Sequence, residues 1–264
     1  GHGDILSGDN GLNHIHGEGG DDVLFGRGGN DWVNGGSGDD ILEGGEGNDI
    51  ITGGAGEDAV SYFFATAGVT VDLGNTGLQN TFGAGSDVIT SVEHAIGSFH
   101  NDWLAGDDGD NRLTGGAGED VLVGAEGADT LNGGDDDDVL VGGAGNDVMD
   151  GGDGVDWVFF NTNAPNGVDV DLAKEVQWTK QGSDTIRNVE NILGSLQDDD
   201  LRGDDASNEI WGGGGDDTLV GAGGEDTLKG GAGDDMIYVG NDAPWEGPGG
   251  FIPTPKPEPK TEID

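Results

Sequence analysis

The chain has 264 residues, of which 54 are acidic and 9 basic, for a formal charge of −45; 58 residues are glycine, none is cysteine, and 32% are apolar. Taken alone, such a composition belongs to disordered polymers, because little apolar surface is available against chain entropy and self-repulsion. The charge argues against nucleic acid and anionic membrane as partners, since both need Lys and Arg at the interface; the lack of cysteine removes disulfides and thiolate metal sites, and no apolar run is long enough for a transmembrane segment.

A nine-residue period overrides the composition. The unit Gly-Gly-x-Gly-x-Asp-x-(Leu/Ile/Val)-x recurs eighteen times, as in Gly35-Gly36-Ser37-Gly38-Asp39-Asp40-Ile41-Leu42-Glu43. Disordered sequence does not hold an aliphatic residue in a fixed frame. The unit reads as a six-residue loop followed by a three-residue strand with one apolar side chain. The chain enters in mid-repeat at Asp4-Ile5-Leu6-Ser7, as a piece of a longer array would. Residues 1–61 form the first repeat block, 97–159 the second and 194–242 the third.

Residues 62–96 and 160–193 interrupt the period and resemble each other. Gly68-Val69-Thr70-Val71-Asp72-Leu73 matches Gly167-Val168-Asp169-Val170-Asp171-Leu172, and Gly85-Ser86-Asp87 matches Gly182-Ser183-Asp184. Val92-Glu93-His94 likewise matches Val189-Glu190-Asn191. Val69, Val71 and Leu73 alternate with polar residues, as in a half-buried strand. Each insertion is about two eighteen-residue coils long and reads as irregular coils that continue the stack without metal loops. Residues 243–264 carry six prolines and read as an extended linker to something beyond.

A three-residue strand cannot bury its side chain alone, but stacked coils can. Two units make one coil of eighteen residues, with strands on opposite sides and position eight pointing inward. The expected inner ladders are Leu24, Val33, Leu42, Ile51 and Val60; then Leu122, Leu131, Leu140, Met149 and Val158; then Leu219, Leu228 and Ile237. The fold class is therefore all-β: a parallel β-roll, or β-solenoid, with metal in its turns. The core is one side chain thick, so the turns must supply stability.

Glycine at positions one, two and four permits backbone conformations that gather carbonyl oxygens, and Asp at position six adds a carboxylate. The position-one glycines Gly35, Gly44, Gly53, Gly115, Gly133, Gly142, Gly212 and Gly230 are candidate main-chain ligands. The candidate carboxylates are Asp22, Asp31, Asp40, Asp49 and Asp58; Asp102, Asp120, Asp129, Asp138, Asp147 and Asp156; and Asp199, Asp217, Asp226 and Asp235. Calcium takes six to eight oxygens, more than one loop provides. Loops two units apart lie on the same edge, so Asp22 pairs with Asp40, Asp31 with Asp49 and Asp40 with Asp58. The second block pairs Asp102 with Asp120, Asp120 with Asp138, Asp129 with Asp147 and Asp138 with Asp156. The third pairs Asp199 with Asp217 and Asp217 with Asp235. Asp129 and Asp226 face Asn111 and Asn208 and make weaker sites. The total is roughly eleven calcium ions. A single Asp-Gly loop is equally well a β-turn; thirteen or more in register are not. Magnesium demands strict octahedral geometry, and zinc prefers His or Cys.

On these motifs the chain, over residues 4–238, resembles the RTX, or haemolysin-type calcium-binding, family. The resemblance implies a β-roll with calcium between adjacent turns. It also implies bacterial chains exported unfolded by type I secretion that fold outside the cell. The insertion pattern resembles segments of large RTX proteins, including modules beside polysaccharide-modifying enzymes. No His-Glu-x-x-His is present, so the zinc protease domain of some relatives is absent from this sequence.

Trp32, Trp103 and Trp157 occupy position seven, outside the roll. Trp103 and Trp157 lie 54 residues apart, three coils or roughly 14 Å along one face. They are candidate contacts for a polysaccharide or a cell-surface partner, or packing sites for an insertion. His14 and His16 flank Ile15 and read as ordinary outward residues. No nucleophile–base set and no phosphate loop occurs. The favoured reading is a non-enzymatic, calcium-dependent module of a larger secreted protein, extracellular or at the cell surface. The alternatives are a polysaccharide- or partner-binding module, and a fragment of an RTX enzyme or adhesin.

Overall fold

A computed structural model describes residues 1–160, 166–179 and 182–240; the expected linker at 243–264 lies outside them. The described residues form 27 strands and no helix. Successive strands of the regular coils alternate between two faces, and strands eighteen residues apart pair in parallel, as Val23 with Ile41 and Leu24 with Leu42. The strands are longer than the three residues expected. Trp32–Ser37 and Ile41–Glu46 each run six residues, because the first three loop positions also pair with the next coil, as Gly36 does with Gly54.

Position eight fills the interior. The expected ladders of the first two blocks are buried throughout. The insertions carry them on with Val71, Ile89 and Ala95, then Val170, Ile186 and Ile192, so the core is continuous along the roll. Full burial of one such side chain contributes about 1.5–3 kcal/mol. Ile237 departs from expectation: it is 46% exposed, because among the described residues Met236–Tyr238 is the terminal strand of its sheet and no coil covers it.

The insertions continue the stack through an excursion of the chain. At the first, Ala59–Ser61 pairs directly with His94–Ile96, so one face runs through without a gap. On the other face the chain steps ahead to pair Thr70–Asp72 with Trp103–Ala105. It then returns through Leu78–Asn80, antiparallel to Ser86–Thr90, and the latter strand stacks on Ile50–Ala55. The second insertion repeats the excursion on the opposite face. There Val176–Trp178 is antiparallel to Ser183–Arg187, while Trp157–Phe159 pairs directly with Asn191–Leu193. One sheet is thus interrupted at each insertion and the other is not.

A glutamine bridges each interruption. Gln79 Oε1 accepts from the Asp72 main-chain N–H at 2.8 Å, and its Nε2 donates to the Asp72 carbonyl at 3.1 Å. Gln177 makes the same pair with Asp171 at 2.9 and 2.7 Å. A side-chain amide has the donor and acceptor of a peptide group, so it substitutes for the missing strand partner.

Candidate metal centres in the turns

Loop 35–40 shows the common geometry. Gly36 and Gly38 have φ of 116° and 122°, the left-handed region that glycine reaches without a Cβ clash. Position one works differently from the sequence expectation: its glycines are not left-handed. A Cβ on Gly35 would lie 2.2 Å from Asp40 Oδ2, and one on Gly133 2.1 Å from Asp138 Oδ2. These glycines make room for the carboxylate. Consecutive loops on one edge are also in close approach: a Cβ on Gly36 or Gly38 would lie 2.5 or 2.4 Å from the carbonyl oxygen of Glu18 or Gly20.

Each Asp at position six uses its two oxygens differently. Oδ1 of Asp40 accepts from the main-chain N–H of Asp22 at 2.8 Å. The same bond joins Asp31 to Asp49, Asp40 to Asp58, Asp102 to Asp120 and Asp120 to Asp138. It joins Asp129 to Asp147, Asp138 to Asp156, Asp199 to Asp217 and Asp217 to Asp235. Every pair expected from the period is therefore brought together, and Asn111 and Asn208 face Asp129 and Asp226 in the same way. Oδ2 is another matter. In Asp22, Asp31, Asp40, Asp49, Asp58, Asp120, Asp129, Asp138, Asp147, Asp156 and Asp217 it is buried with no hydrogen-bond partner.

A buried, unpaired carboxylate oxygen is costly, and the group responds by holding its proton. Burial, followed by repulsion from neighbouring acids, pushes Asp120 up to about 8. Burial likewise raises Asp49, Asp138 and Asp217 to about 7. Asp58, Asp129, Asp147 and Asp156 rise to about 6 for the same reason. An array of carboxyls that resist ionisation, each beside main-chain carbonyls, fits a hard cation as the missing partner. Among the described residues no three His, Cys, Asp or Glu side chains converge, so an ion here takes at most two acidic side chains and fills its shell from the main chain.

Five loops are built differently. In 8–13, 97–102, 106–111, 194–199 and 203–208 position two is Asp or Ser, and neither it nor position four has positive φ. The position-two N–H now turns inward. Asp107 N–H donates to Asn111 Oδ1 at 2.7 Å, and Asn111 Nδ2 donates to the Glu93 carbonyl and to Asp107 Oδ1. Asn208 repeats this with Asp204 and the Glu190 carbonyl. In Asp102 and Asp199 both oxygens are occupied by the amide and hydroxyl of Ser98 and Ser195. Asp102 and Asp199 therefore stand apart from the other sequence-derived candidates: their second oxygen already has donors. Asp226 and Asp235 are half-buried in the last coils.

The insertions supply four acids that the period did not single out. Asp87 Oδ1 accepts from Asp49 N–H at 2.9 Å, in the role of the next position-six Asp, but its Oδ2 accepts from Tyr62 and Thr81 hydroxyls, both at 3.0 Å. Asp184 does the same above Asp147, with Thr179. Glu93 and Glu190 accept from Asp58 and Asp156. The matched Gly-Ser-Asp and Val-Glu segments were the available signal. Position five carries a further ladder, in which Asp21 Oδ1 accepts from Asp39 N–H and Asp39 Oδ1 from Glu57 N–H.

The tryptophans lie where position seven puts them. Trp103, Val121, Val139 and Trp157 follow one another across three parallel pairings. Trp32 is half exposed and packs on His14, with ring centroids 5.1 Å apart. Trp157 packs edge-on against Trp211 at 5.3 Å, and Lys229 Nζ lies over the Trp211 ring. His14 and His16 both point outward, flanking buried Ile15.

The family described as RTX calcium-binding nonapeptide repeat (4 copies) matches residues 1–33, 25–60, 96–131, 123–158, 193–228 and 211–243. The unmatched stretches between these, 61–95 and 159–192, coincide within a residue with the two insertions, and 244–264 is also unmatched. No curated protein matches the chain. Among the described residues no helix is long and apolar enough to cross a membrane. A calcium-binding repeat over most of the chain, folded as a parallel roll whose turns hold buried carboxylates without partners, makes this chain a member of the RTX calcium-binding family and a calcium-binding β-roll module.

Proposed function

We propose that this module is a calcium-driven folding switch, without catalysis of its own, in a larger bacterial protein secreted by the type I route. The observation that carries the reading is the set of partnerless Oδ2 atoms. In cytosol poor in calcium those buried charges oppose folding; outside the cell an ion between stacked loops neutralises them. At a dissociation constant of ~10⁻⁴ M, millimolar calcium contributes about 1.4 kcal/mol per site. Several such terms together rival the stability of a whole domain.

We assign the stronger sites to gaps between two loops of the left-handed kind: Asp22–Asp40, Asp40–Asp58, Asp31–Asp49, Asp120–Asp138, Asp138–Asp156, Asp129–Asp147 and Asp217–Asp235. The gaps Asp102–Asp120, Asn111–Asp129, Asp199–Asp217 and Asn208–Asp226 border a self-satisfied loop and are weaker, because that loop's side chain is already engaged. The test is a calcium titration read by far-UV circular dichroism, with magnesium as control. The expected result is a cooperative gain of β structure between ~0.1 and ~1 mM calcium, absent with magnesium. A spectrum that chelator leaves unchanged would falsify the switch.

A further inference from the structure

A cleft of about 680 Å³ opens beside the first block, away from the position-six ladders, where the first insertion begins. That volume is in the range of small-molecule sites. Its apolar walls are Phe25, Tyr62 and Phe64, and Glu43 lines it between them. The Phe25 and Phe64 rings stand 6.4 Å apart and tilted. Phe64 is 67% exposed.

Glu43 is the unexplained group. It sits at position nine, outside every position-six ladder, in the row Phe25–Glu43 set by strand register. It is buried, 7% exposed. Its Oε2 accepts from Ser61 Oγ at 3.3 Å and the carboxylate also takes a backbone hydrogen bond from Phe64, but no cationic side chain pairs with it among the described residues. A carboxylate held out of water beside aromatic side chains has hydrogen-bond donors but no positive partner. Calcium is poorly suited, since one carboxylate among aromatic walls leaves most of its shell empty. An organic cation suits both features: its ammonium meets the carboxylate, and its apolar body meets the ring faces. At the rim Arg27 and Glu46 carry opposite charges, while the charge of −45 on the chain raises the local concentration of any cation.

We propose that this cleft binds a small primary ammonium ion with an apolar body, the ammonium on Glu43 and the body against Phe25 and Phe64. The site does not depend on which loops hold calcium, only on the chain being folded. The test is a ¹H–¹⁵N NMR titration of the full chain in calcium, with 2-phenylethylammonium as probe and neutral 2-phenylethanol as control. Saturable shifts confined to the surroundings of Phe25, Glu43 and Tyr62 are expected with the ammonium, and about tenfold weaker binding with the alcohol. Glu43→Gln should weaken the ammonium by a similar factor. Phe64→Ala removes an exposed ring, leaves the rest of the spectrum in place, and should weaken binding severalfold. No saturable shift with the ammonium overturns the proposal, as does equal binding of the alcohol. Should Glu43→Gln not fold, unchanged affinity in Phe64→Ala overturns it alone.

Discussion

Loops 106–111 and 115–120 follow each other in the chain and share one nine-residue frame, yet they solve the same problem in opposite ways. In 115–120, Gly116 and Gly118 are left-handed, the Asp120 Oδ2 has no donor, and the Asp120 carboxyl is pushed up to about 8. In 106–111 the backbone stays right of that region; the Asp107 N–H turns inward, and the Asn111 carboxamide supplies both an acceptor and a donor. The first loop leaves a buried carboxylate oxygen unsatisfied. The second brings its own positive dipole. Position two decides between them, since a side chain there that hydrogen-bonds locally keeps the backbone from the left-handed turn. The self-satisfied loops follow each insertion, at 97–111 and 194–208, and open the first block at 8–13. The two blocks that follow an insertion therefore start with turns that satisfy their own side chains, and their incomplete turns stack on that base.

The strongest way to break this comparison is to change the proton supply in chelator. Eight carboxyls of the incomplete loops have folded-state values of about 6 to 8, against roughly 4 for an unfolded Asp. A raised folded value means that the folded chain binds the proton more tightly. Its contribution is complete below about pH 4 and is lost as pH rises through 6 to 8. The calcium-free chain should therefore gain β structure on acidification from about pH 8 to pH 5. With calcium the sign reverses, because protons compete with the ion. Circular dichroism against pH, in chelator and in calcium, checks both arms. Parallel profiles would show that the incomplete loops are not proton-linked.

Next in size is the glutamine bridge. Gln79→Ala leaves the Asp72 N–H without its acceptor, while the Asp72 carbonyl keeps the Asn75 N–H, and an unsatisfied buried group costs about 1–3 kcal/mol. A loss of roughly 1–3 kcal/mol is expected in urea unfolding with calcium present. Gln177→Ala should cost as much at the second interruption. A pair of losses under about 0.5 kcal/mol would mean that water replaces the amide there.

The comparison can also be transplanted. Gly134→Asp together with Asp138→Asn writes the self-satisfied pattern into loop 133–138. The loop borders two gaps, toward Asp120 and toward Asp156. Native mass spectrometry at saturating calcium should show one or two fewer ions, with the roll intact by circular dichroism. Unchanged stoichiometry would remove position two from its deciding role.

How far the sequence reached is visible in these same residues. The period was sufficient for the coil, the inner ladder and every Asp pair, because a side chain's face in a solenoid depends only on its place in the frame. It did not separate Asp102 from Asp120, since both hold position six. What distinguishes them is Ser98 against Gly116 four residues upstream, a local hydrogen bond rather than a repeat property. The insertions were recognised as equivalent through their matched segments. Their excursion, one strand ahead and then back, was not legible, because alternation in Val69–Leu73 fixes burial but not which strand becomes the neighbour. Ile237 fails for a third reason: a ladder position is buried only when another coil lies above it.

The smallest effects are the sharpest, because one replacement should act with opposite signs at equivalent positions. Ala125 holds position two of an incomplete loop with φ of 90°, a conformation costing a residue with Cβ about 1–2 kcal/mol. Ala125→Gly relieves that strain, partly offset by the greater freedom of glycine in the unfolded chain. A gain of up to about 1 kcal/mol is expected, with Asp129 still short of a donor. Ser98 holds position two of a self-satisfied loop and donates its hydroxyl to Asp102 Oδ1 at 2.9 Å. Ser98→Gly removes that bond and should cost about 1–2 kcal/mol. It also permits the left-handed turn, so part of the loss should be recovered as calcium rises. Urea midpoints of the two variants at low and high calcium decide the matter. If both shift the same way, glycine is acting only through the unfolded chain, and the loop's hydrogen bonds are not what divides the two kinds of turn.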